Sequence, residues 1–199
     1  MPSKSKAKGN AWELEVSKFL TETYGESFIR IPSSGAFVGG KNSFRKDQLG
    51  GAQVQSKKGD IHPPESWKHW NLECKSYADF PFHQLWYADV KILDAWIQQQ
   101  KDVEDEGDLN LILIKISRKE KWVVFPENLG FESNRYLSYK GWRFVHWDDF
   151  WSKNQNRDLV KNYSTQRVPS LPSLPSVQVP VWESVPRDPL NNDLRYVSQ

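Results

Sequence analysis

Cysteine is all but missing: Cys74 stands alone in 199 residues, which excludes an internal disulfide framework and a cysteine-built zinc centre. The four histidines (His62, His69, His83 and His146) show no HxxxH or similar ligand pairing. No apolar run approaches the roughly 18 residues that a membrane span needs. The N-terminus is basic and polar with no apolar segment behind it, which argues against a secretory signal. An excess of charge of one sign is lacking too: the formal net charge is +2, too small for composition alone to announce a nucleic-acid partner. The chain reads as a soluble, intracellular protein with no membrane association.

What is present is aromatic and locally basic. Aromatic residues reach 14%, including ten Trp, and such side chains fill a core from few positions. Lys4, Lys6 and Lys8 precede the first helix, and Lys41, Arg45, Lys46, Lys57 and Lys58 crowd one Gly-containing stretch. Local clusters of this kind can neutralise phosphates even when acids balance them elsewhere, although either alone also suits a solvated surface.

Trp12, Val16, Phe19 and Leu20 make one apolar stripe, which predicts a helix over residues 10–24, stopped by Gly25. A short strand is expected at 28–31. Residues 36–58 read as a long, mobile basic loop. A strand is centred on residues 72–75, a helix spans 82–100, and the apolar run 109–116 suits a strand buried on both faces. Residues 122–125 and 142–147 are further strand candidates, and 148–153 a short helix. The expected organisation is a basic arm (1–9), one α/β domain (10–155) and an extended Pro-rich tail (160–199). In that tail Pro169, Pro172 and Pro175 recur every three residues, as on one edge of a polyproline II helix.

The chemistry centres on Glu73-Cys74-Lys75. Residues two apart on a strand share a face, so Glu73 and Lys75 project together while Cys74 points away. Acid-x-Lys is common by chance. Asp89-Val90-Lys91 also matches, but within the expected helix, where positions i and i+2 do not share a face. The first triplet gains meaning from Gly59-Asp60-Ile61 upstream of it and from Glu13 on the first helix. Asp60, Glu73 and the backbone carbonyl of Cys74 could offer hard oxygen ligands to Mg²⁺ or Mn²⁺, with Glu13 a further ligand or the holder of a water. Lys75 could hold the nucleophile or stabilise a phosphoryl transition state. The plainer reading is a turn-capping Asp60, a surface pair and an ordinary helix charge.

The order of these motifs resembles that of archaeal-type Holliday-junction resolvases in the PD-(D/E)XK nuclease superfamily. The resemblance runs through Lys8-Gly9-Asn10-Ala11-Trp12-Glu13, Phe28-Ile29-Arg30-Ile31, Ser33-Ser34-Gly35, Gly59-Asp60-Ile61, Leu72-Glu73-Cys74-Lys75 and Gly141-Trp142-Arg143-Phe144-Val145. It implies a restriction-endonuclease-like core, a mixed sheet flanked by helices, with Glu13, Asp60, Glu73 and Lys75 as catalytic residues and Arg30 and Ser34 close to DNA. It further implies a metal-dependent endonuclease selective for branched DNA, acting as a homodimer, and located in the host cytoplasm if phage-encoded. Lys8, Lys41, Arg45, Lys46, Lys57 and Lys58 are the additional expected DNA contacts. Alternatives are a restriction- or repair-type duplex nuclease and a catalytically silent DNA-binding or assembly module. The chain departs from the pattern in Gly59, which replaces the superfamily's Pro, in Leu14, which stands where Arg is frequent, in the long stretch between Ser34 and Asp60, and in the tail. The expected dimer surface is the helix 82–100 together with Trp142, Trp147 and Trp151. The Pro-rich tail is expected to dock on its own subunit, the partner subunit or another protein.

Overall fold

Alternating apolar and polar patterns resolve into one mixed five-stranded sheet with helices on both faces. The computed structural model describes residues 4–31 and 58–166. In chain order these form α1 (Lys4–Tyr24), β1 (Ile29–Arg30), β2 (Ile61–His62), β3 (Trp70–Tyr77), a 3₁₀ turn (Phe82–Trp86), α2 (Lys91–Lys101), β4 (Leu109–Ile116), β5 (Lys121–Pro126), β6 (Tyr136–Tyr139), β7 (Trp142–His146), α3 (Trp147–Ser152) and α4 (Asn154–Thr165). The large sheet has the order β3-β4-β5-β7-β6, with β3 and β4 parallel and the other pairs antiparallel. The β1–β2 pair stands apart as a small antiparallel ribbon.

The two faces of β3 explain the layering. Leu72 and Cys74 look toward α1, joining Trp12, Val16, Leu20, Leu111 and Leu113 in one core, which α3 and α4 complete. Ile112 and Ile114 on β4 look the other way, onto Leu93, Trp96 and Ile97 of α2. Trp12 anchors α1 doubly, by burial and by donating its indole N–H to the carbonyl of Leu113 at 2.9 Å. β3 lies at the sheet's end, so one line of its backbone groups faces no strand of that sheet.

Several expectations change. Helix α1 begins at Lys4, so residues 4–9 are its first turns rather than a separate arm; lysine favours helix, and Gly9 costs only about 1 kcal/mol relative to alanine. The segment 82–100 is not one helix. The N–H of Val90 donates to the Tyr139 hydroxyl at 2.8 Å, and the chain breaks between the 3₁₀ turn and α2. Asp89 and Val90 therefore precede α2, and Asp89 pairs with Lys140 at 2.8 Å. Strand β6 and helix α4 were not expected. Since α4 runs to Thr165, residues 160–165 belong to the folded unit, not to a tail. The rest of the tail, with Pro169, Pro172 and Pro175, lies outside the described residues. Trp142, Trp147 and Trp151 are 5, 7 and 4% exposed: they complete the monomer's own core and offer no dimer surface. In the expected partner helix, the exposed aromatics are Trp86 and Tyr87, which precede α2.

The contrast along α1 is testable. Trp12→Ala should lower unfolding stability by about 3–5 kcal/mol. Leu14→Ala, at a half-exposed position on the same helix, should stay within about 0.5 kcal/mol. Chemical denaturation of both variants reads the difference.

Candidate active site

The edge of β3 that pairs with no strand of the large sheet is where the site is built. Gly59 adopts φ +68°, and a Cβ there would lie 2.4 Å from the Leu72 carbonyl oxygen, so only glycine fits so close to the strand. One residue on, the Asp60 N–H donates to that same carbonyl at 2.8 Å. The Asp60 carboxylate then accepts the backbone N–H of Cys74 at 2.8 Å. An edge amide is thus satisfied by an acid side chain, and the acid is fixed next to Glu73. Within a strand residue, N–H and C=O point to the same side, so the carbonyl of Cys74 emerges at this edge as well. Proline, with φ locked near −65°, could not occupy position 59 in this conformation.

Glu73 and Lys75 share the face of β3 that α2 covers. The Lys75 ammonium donates to Glu73 at 2.6 Å and to the side-chain oxygen of Gln99 at 3.1 Å, and the Gln99 amide N–H also reaches Glu73 at 3.1 Å. Glu13 is presented by α1 and forms an ion pair with Arg30 on β1, whose guanidinium also donates to Asn10 at 2.7 Å. Burial pushes the Glu73 carboxyl up to about 7, and the negative charges of Asp60 and, more weakly, Glu13 add to the shift against Lys75. Glu13 is raised as well, first by burial and then by Asp60, with Arg30 opposing. The three carboxylates therefore sense one another electrostatically. The buried Cys74 thiol is raised by burial and by the same three acids, so it is no nucleophile.

As they stand, no three metal-binding side chains among the described residues converge closely enough to enclose an ion. Glu13 is drawn to Arg30, and Glu73 to Lys75 and Gln99. The donor chemistry nevertheless fits a hard divalent cation: Asp60, Glu73, Glu13 and the Cys74 carbonyl offer oxygen only, and a dication would offset both the burial that chiefly raises Glu73 and the lesser repulsion from Asp60.

The expected catalytic set, Glu13, Asp60, Glu73 and Lys75, thus lies in one neighbourhood, and Arg30 joins it. Lys8 is exposed on α1. Ser34, Lys41, Arg45, Lys46 and Lys57 lie outside the described residues. Lys58 departs from expectation: its ammonium is buried between Asp105, at 2.9 Å, and Asp108, so it is not available to a phosphate. Gln99 and Asn10 were missed. The Gln98-Gln99-Gln100 run on the helix after the Glu73 strand is the sequence signal for Gln99, and it needs the sheet register to be interpreted, whereas Asn10 stands in the first-helix motif with no sign of its bond to Arg30.

Together the mixed sheet, the acid-x-Lys strand and the edge-bound aspartate define a PD-(D/E)XK nuclease architecture. A family model described as "Phage putative PDDEXK endonuclease" matches residues 4–162, and the chain belongs to that family. No curated protein and no solved structure matches it. Among the described residues no helix is long and apolar enough to cross a membrane.

Two outcomes follow from this geometry. Gly59→Pro, which restores the superfamily's signature residue, should lower stability by more than about 3 kcal/mol rather than improve the site; thermal unfolding measures it. In metal-free protein, Glu73 holds its proton to higher pH than the unfolded chain does. Stability from this group is therefore present below about pH 4.5 and is lost as pH rises through about 7. Glu73→Gln should remove that fall, on the order of 1–3 kcal/mol, in unfolding curves recorded from pH 4.5 to 8.

Proposed function

We propose that the protein is a Mg²⁺- or Mn²⁺-dependent endonuclease that hydrolyses phosphodiester bonds in branched DNA. The observation that carries the metal-dependent reading is the edge-bound Asp60 beside Glu73, with Glu13 close enough to raise their shared repulsion. A bound divalent ion would stabilise charge on the phosphoryl group and make hydroxide accessible near neutral pH. Asp60, Glu73 and the Cys74 carbonyl would hold it, with Glu13 beside them. Lys75, restrained by Gln99, supplies a positive charge at the same face and can meet the phosphate's developing charge. Arg30 and the exposed Lys8 are the proposed DNA contacts within the described residues. Ser34, Lys41, Arg45, Lys46 and Lys57 are proposed from the sequence alone.

Branched DNA is supported by the ordered resemblance to junction resolvases, from Lys8 through Val145. Symmetric cleavage of a junction requires two active sites in two-fold relation, so we infer a homodimer as the working form. The exposed Trp86 and Tyr87 are its only remaining aromatic candidates in the region first expected to form it.

The test is cleavage of a four-way junction, a fork and a linear duplex of the same sequence, with Mg²⁺ and with chelator. Metal-dependent cutting that prefers the junction is expected; equal cutting of linear duplex would replace branch selectivity with a general duplex activity. Asp60→Asn and Glu73→Gln should each lower cleavage at least about a hundredfold, the scale of losing one group that stabilises transition-state charge. DNA binding should hold or tighten, because a negative charge facing phosphates is gone. Parental cleavage rates in both variants would refute the site.

A further inference from the structure

Lys58 is the most deeply buried cation among the described residues, 1% exposed, and it lies two residues before Asp60. Desolvating an ammonium costs several kcal/mol unless partners compensate. Here two do: Asp105, at 2.9 Å, and Asp108, whose side chain is 2% exposed. The two acids also brace each other. The Asp105 N–H donates to the Asp108 carboxylate at 2.6 Å, and the Asp108 N–H to the Asp105 carbonyl at 3.1 Å. They form the connection between α2 and β4, so the pocket that receives Lys58 comes from a different part of the chain than Asp60.

That connection is itself pinned to the sheet. Gln100, the penultimate residue of α2, donates to the carbonyls of Asn71 on β3 at 2.8 Å and Leu111 on β4 at 2.9 Å. Asn71 returns a bond to the Gln100 carbonyl at 3.1 Å and reaches Asn110 at 2.8 Å. Asn110 in turn donates to Glu104 in the connection at 2.6 Å. The acids that clamp Lys58 are therefore held relative to the start of β3. Gln99, next to Gln100, restrains Glu73 and Lys75 from the same helix.

We propose that Lys58 is a positioning residue for the metal-binding aspartate: its clamp between Asp105 and Asp108 sets where Gly59 crosses Leu72 and hence where the Asp60 carboxylate sits. This rests on the nuclease reading above only for its consequence in metal binding. An apolar side chain at position 58 would be buried just as well, but it would tolerate sliding. An ammonium that must satisfy two carboxylates does not slide, since each ångström of displacement leaves a buried charge unpaired. The Asp60 carbonyl also accepts the Ile31 N–H at 2.9 Å, so the same clamp steadies the junction of β1 with the edge of β3.

The test uses the full chain without metal. Amide exchange is followed at Cys74 and Ile31, whose N–H groups are bound by Asp60, and at Val123 in the sheet interior as a control. Lys58→Met should speed exchange at Cys74 and Ile31 by about tenfold or more while Val123 is unchanged, the mark of local rather than global opening. The same variant should weaken Mn²⁺ binding, read by calorimetry, by about tenfold or more, as loss of an outer partner of a metal ligand does. Unchanged exchange at both amides in a folded Lys58→Met protein overturns the proposal. Should that variant fail to fold, Asp105→Asn replaces it, since the Asp105 side chain is 54% exposed and tolerates neutralisation. It should speed the same two amides severalfold, and no change there overturns the proposal equally. The two failures are distinguishable. Asp60→Asn with undiminished Mn²⁺ affinity would remove the metal reading, whereas the exchange result at Cys74 judges the clamp without any metal present.

Discussion

One hydrogen bond organises the site: the N–H of Cys74, at the edge of β3 that no strand of the large sheet covers, donates to the carboxylate of Asp60. An edge strand must satisfy its outward amides somehow, and here an acid side chain does it in place of another strand. The consequence is chemical. A carboxylate bound to the backbone of residue 74 cannot be far from the side chain of residue 73, so two acids are forced together by main-chain geometry rather than by side-chain preference. Gly59 makes the approach possible, because any Cβ at that position would collide with Leu72.

Forcing acids together has an electrostatic cost, and the surrounding cations read as its partial compensation. Arg30 holds Glu13, and Lys75 with Gln99 holds Glu73. Glu73 nevertheless sits near 7, raised first by its burial and then by the charge of Asp60. A buried carboxylate with acidic neighbours is costly unless a cation joins it, and a module built only to bind DNA would have no use for that cost. Stability and function pull in opposite directions here, which is usual at active sites.

The legible part of this protein was its periodic part. Glu73 and Lys75 could be placed on one face because strand alternation is strict, whereas Glu13 joined them through the order of the motifs and the resemblance they carry, not through any periodicity. What escaped was whatever depends on contacts distant in sequence. Lys58 looked like one more basic residue in a basic stretch until Asp105 and Asp108 arrived from beyond α2. Helix α4 was hidden because part of its buried face is polar: Asn156 is fully buried yet satisfied by the backbone of Glu132 and Phe150. The tryptophans near the end of the domain looked excessive for a small core, but Trp147 and Trp151 pack tilted or edge-on against each other, Phe19 and Phe150, inside it. The break before α2 was invisible because Tyr139, the hydroxyl that captures Val90, lies on a strand that was itself not foreseen.

The central claim is that the edge of β3 assembles an oxygen-ligand site from Asp60, Glu73 and the Cys74 carbonyl. The most direct measurement is a crystal structure of the full chain grown with Mn²⁺, with anomalous scattering used to locate the ion. The account predicts one anomalous peak within about 2.0–2.4 Å of an Asp60 and a Glu73 carboxylate oxygen, and of the Cys74 carbonyl oxygen, with Glu13 released from Arg30 toward it. A peak elsewhere, or none at this edge at saturating Mn²⁺ with the Asp60–Cys74 bond intact, would contradict it.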